Sequence, residues 1–110
     1  MKPKSYRKEK LPELLQHLAA EWLERESNRT SLITVTGSRI SDSQKHVTIL
    51  FTVLPESQED AALDFVRRRM RDFIEYIEKH ARIGRMPEIE FMIDSGEKNR
   101  QRIDFLLESE

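Results

Sequence analysis

The residues of this chain best suited to bind an anionic partner are basic side chains in its second half. The run Arg67-Arg68-Arg69-Met70-Arg71 is the densest, and Lys79, Arg82 and Arg85 continue it. Because arginine pairs bidentately with phosphate oxygens, one interpretation is a phosphate-binding surface. The other interpretation is a solvated helix face held by ion pairs between residues four apart. That spacing occurs in Asp64–Arg68, Arg71–Glu75, Glu75–Lys79 and Glu78–Arg82.

No residues have the spacing of a catalytic or metal site. His17, His46 and His80 fall on three different predicted elements without ligand spacing or a nearby acid, so we expect surface histidines. Glu88 and Glu90 point to the same side of one strand, and we expect that side to face solvent. The chain has no cysteine and its three glycines are isolated, which excludes a thiolate nucleophile and a glycine-rich phosphate loop. We therefore expect no enzyme, no cofactor, no metal and no small-molecule substrate.

The net charge of −1 hides an uneven distribution of charge. Residues 1–10 carry five basic groups and one acid, and residues 67–85 carry seven basic groups and three acids. Near-neutrality therefore does not exclude a nucleic-acid partner. A length of 110 residues fits one domain. There is no apolar run of the roughly 20 residues that span a bilayer and no signal peptide, so we expect a cytoplasmic protein that does not contact membranes.

The first half of the chain predicts a helix followed by a hairpin. Residues 1–9 have almost no apolar periodicity, which predicts a flexible basic arm before a domain over residues 10–110. From Leu11 to Leu23 the apolar residues follow one helix face, and Pro12 is tolerable if it lies in the first turn. Residues 32–36 and 47–54 alternate with period two on either side of Ser41-Asp42-Ser43, which predicts two antiparallel strands.

The second half predicts a long helix, a strand and a short helix. Residues 59–83 have helical periodicity and would span nearly 40 Å as one rod, so we expect a kink or a split. Residues 87–94 alternate strictly, with Ile89, Phe91 and Ile93 on the buried side. A last helix capped near Asp94 or Ser95 would bury Ile103, Leu106 and Leu107.

These elements predict a single-domain α+β fold of order α-β-β-α-α-β with a short C-terminal helix. The connection through the long helix makes the third strand parallel to the second. One strand face is apolar and the other is rich in threonine, so we expect a three-stranded sheet covered by helices on one face.

The segment Pro87-Glu88-Ile89-x-Phe91-x-x-Asp94, followed by Arg102-Ile103-x-x-Leu106-Leu107, resembles the ribosome-binding factor A family. The strands at 32–36 and 47–54 are similar to the first two strands of that family. The resemblance covers most of residues 7–107 and implies a type II KH-like fold. The family has an Ala-x-Gly kink between the two helices that connect its second and third strands, and the equivalent stretch here, residues 67–71, contains neither alanine nor glycine.

The resemblance implies a non-catalytic factor that binds the small (30S) ribosomal subunit or its precursor and assists 16S rRNA maturation. We expect a monomer that contacts RNA mainly through phosphates, because only Tyr6 and Tyr76 look free for stacking. The candidate RNA-binding residues are Arg67, Arg68, Arg69, Arg71, Lys79, Arg82 and Arg85, with Lys2, Lys4, Arg7 and Lys8 from the arm. The alternative is a KH-like or ferredoxin-like module whose sheet face or edge strand binds a protein or forms a dimer.

Overall fold

Within the residues that the structure describes, the chain forms three α-helices and three strands in the order that the sequence predicts for this part. A computed structural model describes residues 4–27 and 30–96, with side chains from residue 7 onward. The helices are α1 (Lys4–Glu26), α2 (Glu59–Arg68) and α3 (Met70–His80), and a short 3₁₀ turn, Glu56–Gln58, precedes α2. The strands are β1 (Leu32–Ile40), β2 (His46–Leu54) and β3 (Glu88–Ile93).

The three strands form one mixed sheet with β2 at its centre. β1 pairs antiparallel with β2 from Leu32 opposite Leu54 to Ile40 opposite Val47, with a bulge at Thr36. β3 pairs parallel with β2 on the other side. Both strand relations agree with the sequence prediction, since a short turn joins β1 to β2 whereas α2 and α3 carry the chain back before β3.

The helices pack on one face of the sheet and enclose an aromatic core. Trp22 of α1 lies at its centre, with ring centroids 5.1 Å from Phe73 and 6.5 Å from Phe91. The inward-facing residues of β2 are all buried, as the alternation predicts. On β3 only Phe91 is fully buried, because an edge strand leaves the inward-facing Ile89 and Ile93 partly exposed.

The expected split of the long helix is confirmed and lies at Arg69. Its backbone angles (φ −102°, ψ 16°) depart from helical values and separate α2 from α3. The split lets Val66 at the end of α2 and Phe73 near the start of α3 both reach the core. α3 ends at His80, three residues before the expected end, because Ala81 is extended.

The expected flexible arm is wrong for residues 4–9, which form the start of α1. The division between residues 9 and 10 therefore falls inside a helix. Two long-range contacts hold this part of α1, one from Arg7 to the loop after α3 and one from Lys8 to Asp42. Pro12 consequently lies in the helix interior, where it removes one backbone hydrogen bond, and not in the first turn.

The expected last helix, with Ile103, Leu106 and Leu107, lies outside the described residues. Among the helices of the described part, none is both long and apolar enough to cross a membrane.

Candidate nucleic-acid interface

Three arginines around the break between α2 and α3 form an exposed group that we call the arginine ridge: Arg67, Arg68 and Arg71. Within residues 4–27 and 30–96, none of the four ion pairs expected along this helix face forms. Arg68 only donates a long hydrogen bond, 3.4 Å, from Nε to the backbone oxygen of Asp64. The ridge therefore presents guanidinium groups that the neighbouring carboxylates do not neutralise.

Arg69 differs from its neighbours because carboxylates from two helices hold it. Its Nε donates to Asp72 at 2.8 Å, and its Nη2 donates to Glu26 at 3.3 Å. The hydrogen bond with Asp72, supported by Glu26, raises the pKa of Arg69. The guanidinium also lies 5.4 Å from the ring centroid of Phe65 and 5.9 Å from that of Trp22. Arg69 thus joins the end of α1 to the helix break, and two carboxylates balance its positive charge.

The basic residues of the predicted arm also make contacts inside the domain. Arg7 donates from Nη1 to the Ile83 oxygen at 3.2 Å and from Nη2 to the Arg85 oxygen at 2.9 Å. Lys8 pairs with the fully exposed Asp42 at 3.1 Å, which leaves its ammonium group largely in solvent. Lys2 and the side chain of Lys4 lie outside the described residues.

The contact of Arg7 with the loop after α3 creates a cleft that combines basic and apolar side chains. The cleft has a volume of about 720 Å³. Arg82 lines it from the loop, and Lys10 lines it from α1, one turn beyond Arg7. The remaining lining residues are Leu11, Glu13, Leu14, His17 and Ile83. Lys10 is not among the residues predicted from sequence to bind RNA, although its spacing of three residues from Arg7 places both on one side of a helix.

The structure distributes the basic residues over three places. The arginine ridge surrounds the break at Arg69, and Arg82 lies in the cleft beside α1. Lys79 lies in a third place, a groove between α1 and α3 that Arg25 also lines. Arg85 is exposed in the loop whose backbone Arg7 holds.

The aromatic and histidine side chains are more engaged than expected. The Tyr76 ring stacks on His80 at 4.0 Å, with the Arg25 guanidinium 5.6 Å from its centroid, and its hydroxyl donates to Glu21. Tyr76 is therefore not free for base stacking, and the side chain of Tyr6 is not described.

Two of the histidines have acid partners, which corrects the expectation that none is nearby. His17 lies 3.0 Å from Glu21, and His46 lies 2.9 Å from Glu88. Both pairs are exposed surface pairs. Within the described residues there is no group of three or more His, Cys, Asp or Glu side chains that could hold a metal ion.

Comparison with known proteins gives a consistent result. The family model described as ribosome-binding factor A matches residues 7–107. The ribosome-binding factor A of Geotalea daltonii is 30% identical over 104 residues, which cover 92% of this chain and 85% of that protein.

Two sets of coordinates for ribosome-binding factor A from Thermus thermophilus share the fold. The crystal structure superposes with a TM-score of 0.69 at 24% identity, covering 78% of this chain and 93% of the other. The second, a homology model fitted into the cryo-EM map of a complex with the 30S subunit, gives a TM-score of 0.66 at 24% identity, with coverages of 76% and 90%.

Proposed function

Because this chain belongs to the ribosome-binding factor A family, we propose that it binds the small (30S) ribosomal subunit or its precursor and assists 16S rRNA maturation. It acts without catalysis, as a cytoplasmic assembly factor that holds immature rRNA and leaves when folding is complete. The 30S complex of the Thermus thermophilus relative supports this partner.

The observation that carries the proposal is the arginine ridge. Arg67 and Arg71 are exposed, and no carboxylate of the described part pairs with either. A guanidinium matches two phosphate oxygens in a planar, bidentate geometry, and it keeps its charge at every physiological pH. A surface of this kind suits the RNA backbone better than it suits an apolar protein partner.

The other basic residues take different parts in the proposed interface. Phosphate contacts come from the ridge, and the remaining candidate phosphate ligands are Lys2, Lys4, Lys8, Lys10, Lys79, Arg82 and Arg85. Arg7 and Arg69 position these surfaces through their contacts inside the domain.

The test is the salt dependence of binding to purified small subunits, measured by co-sedimentation. The variant is Arg67→Gln with Arg71→Gln. If each arginine contacts one phosphate, the slope of log affinity against log salt falls by roughly 1.4–1.8. Over a fourfold rise in salt, the wild type then loses roughly seven- to twelvefold more affinity than the variant.

A matched control removes the same charge from elsewhere on the surface. Arg39→Gln with Lys45→Gln changes two exposed basic residues of β1 and the hairpin turn, and it should leave the slope nearly unchanged. An equal effect of both variants would mean that net charge, and not the ridge, governs binding. Failure to bind small subunits at any salt would refute the proposed function, and salt-insensitive binding would favour the protein-interaction alternative.

A further inference from the structure

The break between α2 and α3 divides the arginine ridge. Arg67 and Arg68 are the last two residues of α2, and Arg71 is the second residue of α3. In one continuous helix, residues 67 and 71 would lie on the same side, about 6 Å apart along the axis. Because the backbone angles of Arg69 are not helical, the spacing of the ridge depends on the angle between the two helices.

Two carboxylates hold the residue at the break, and they belong to different helices. Asp72 is three residues from Arg69 and lies on α3, so its contact ties Arg69 only to the start of that helix. Glu26 is the last residue of α1, and its contact at 3.3 Å ties the break to a third helix. Glu26 therefore connects the break to α1 through a polar contact.

The pair of Glu26 and Arg69 is partly shielded from solvent. The side chain of Glu26 is 39% exposed and that of Arg69 is 34% exposed. Each ion pair of the described residues that does not involve Arg69 has a partner that is at least 71% exposed. The rings of Phe65 and Trp22 also lie 5.4 and 5.9 Å from the guanidinium. Shielded pairs are screened less than exposed pairs, so this contact is suited to hold a fixed geometry.

We propose that Glu26 is a positioning residue of the arginine ridge. By holding Arg69, it fixes the angle between α2 and α3, and this angle sets the spacing at which Arg67 and Arg71 meet the phosphates of RNA. Glu26 itself does not bind RNA, because a carboxylate repels phosphate. This inference rests on the proposed function, since it concerns the same surface.

A positioning role and a purely electrostatic role of this carboxylate predict opposite effects on binding. As a negative charge beside a basic surface, Glu26 opposes the approach of RNA, so its removal should tighten binding. As a positioning residue it supports binding, so its removal should weaken binding. The sign of the change in affinity for small subunits therefore decides between the two roles.

The binding experiment uses Glu26→Gln in the full chain and purified small subunits, by co-sedimentation over a range of salt, well below the melting temperature. We expect roughly two- to tenfold weaker binding at every salt concentration, the factor that applies when one long side chain must be ordered during binding. The salt slope should stay unchanged, because no arginine of the ridge is lost.

The matched control, Glu24→Gln, removes the same charge two residues earlier on α1. Glu24 is exposed and has no ion pair within the described residues. Its loss should leave binding unchanged or tighten it slightly.

A second measurement reports on the angle between the helices and does not require RNA. The chain has no cysteine, so spin labels can be attached through Asp60→Cys on α2 and Glu78→Cys on α3, both at exposed positions. The distance distribution between the labels should shift or broaden when Glu26→Gln is added. It should stay unchanged when Glu24→Gln is added.

The two measurements together separate this inference from the proposed function. Weaker binding and altered distances, for Glu26→Gln and not for Glu24→Gln, would support the positioning role. Tighter or unchanged binding of Glu26→Gln would overturn it even if the wild-type chain binds small subunits, and unchanged distances would overturn it as well. If the distances change but the wild-type chain does not bind small subunits, the proposed function is refuted, and the control of the helix angle by Glu26 stands.

Discussion

The contact of Arg7 with the loop after α3 predicts that this arginine contributes to stability and not mainly to RNA binding. Its two hydrogen bonds, at 3.2 Å and 2.9 Å, join positions 76 and 78 residues apart. A hydrogen bond from a charged donor contributes about 1.5–3 kcal/mol when well shielded. One of these bonds is partly buried and the other exposed, so we expect Arg7→Gln to lower the free energy of unfolding by about 1–3 kcal/mol.

The assay is urea unfolding followed by tryptophan fluorescence, since Trp22 is buried in the core. With an m-value of about 2 kcal/mol/M, the midpoint should fall by roughly 0.5–1.5 M. Arg7→Lys keeps the charge but lacks the two-pronged geometry, so it should recover only part of the loss. Lys10→Gln, one turn further along α1, is the control and should change stability by less than about 0.5 kcal/mol.

One combination of results would refute this reasoning. If Arg7→Lys and Arg7→Gln both unfold at the wild-type midpoint, the two hydrogen bonds do not contribute to stability. If Arg7→Gln then also weakens small-subunit binding while Arg7→Lys does not, the side chain acts as a phosphate ligand, as the sequence alone suggested.

Three further predictions concern the core, a turn and the helix break. Phe91→Ala should lower the free energy of unfolding in urea by about 3–5 kcal/mol, because Phe91 is buried in the core. Ile89→Ala should lower it by less than about 2 kcal/mol, because Ile89 is only partly buried. Equal losses would contradict the edge position of β3. Gly84→Ala should destabilise by about 1–2 kcal/mol despite open space around it, because its φ is +81°. Gly37→Ala should be neutral or slightly stabilising, since its new methyl would lie 3.8 Å from the nearest side chain, and a loss as large as that at Gly84 would refute the backbone argument. Arg69→Gln should lower the melting temperature and leave the salt slope of subunit binding unchanged; a reduced slope would make Arg69 a phosphate ligand.

Patterns with a short period were sufficient to predict most of the fold. The alternation in residues 47–54 and 87–94 predicted two strands and their inward faces, and the periodicity of residues 59–83 predicted a helix too long to stay straight. Each of these predictions uses only the spacing of apolar residues within one element. The backbone geometry of a helix or a strand places residues of that spacing on the same face. The family resemblance was likewise visible in residues 87–107 and is confirmed by the family match.

The same local patterns selected candidate interface residues but could not indicate which of them make contacts inside the domain. The sequence selected Arg67, Arg68 and Arg71 correctly as exposed residues, yet it grouped Arg69 with them. Arg69 is held by Glu26, which is 43 residues away along the chain. Such a partner has no signature in spacing, because the packing of α1 against the helix break creates it.

The helical start of α1 is the clearest example of a feature that depends on distant contacts. Residues 4–9 have few apolar side chains, and a short isolated helix of that composition is marginal in water. In the folded domain this segment is helical, and the side chains of Arg7 and Lys8 form hydrogen bonds with loops far along the chain. The order of elements and their buried faces thus follow from neighbouring residues. The charged side chains that remain available to a partner are decided by the tertiary structure. Ion pairs and hydrogen bonds act through space, so residues far apart in the sequence become partners only when the helices and the sheet have packed.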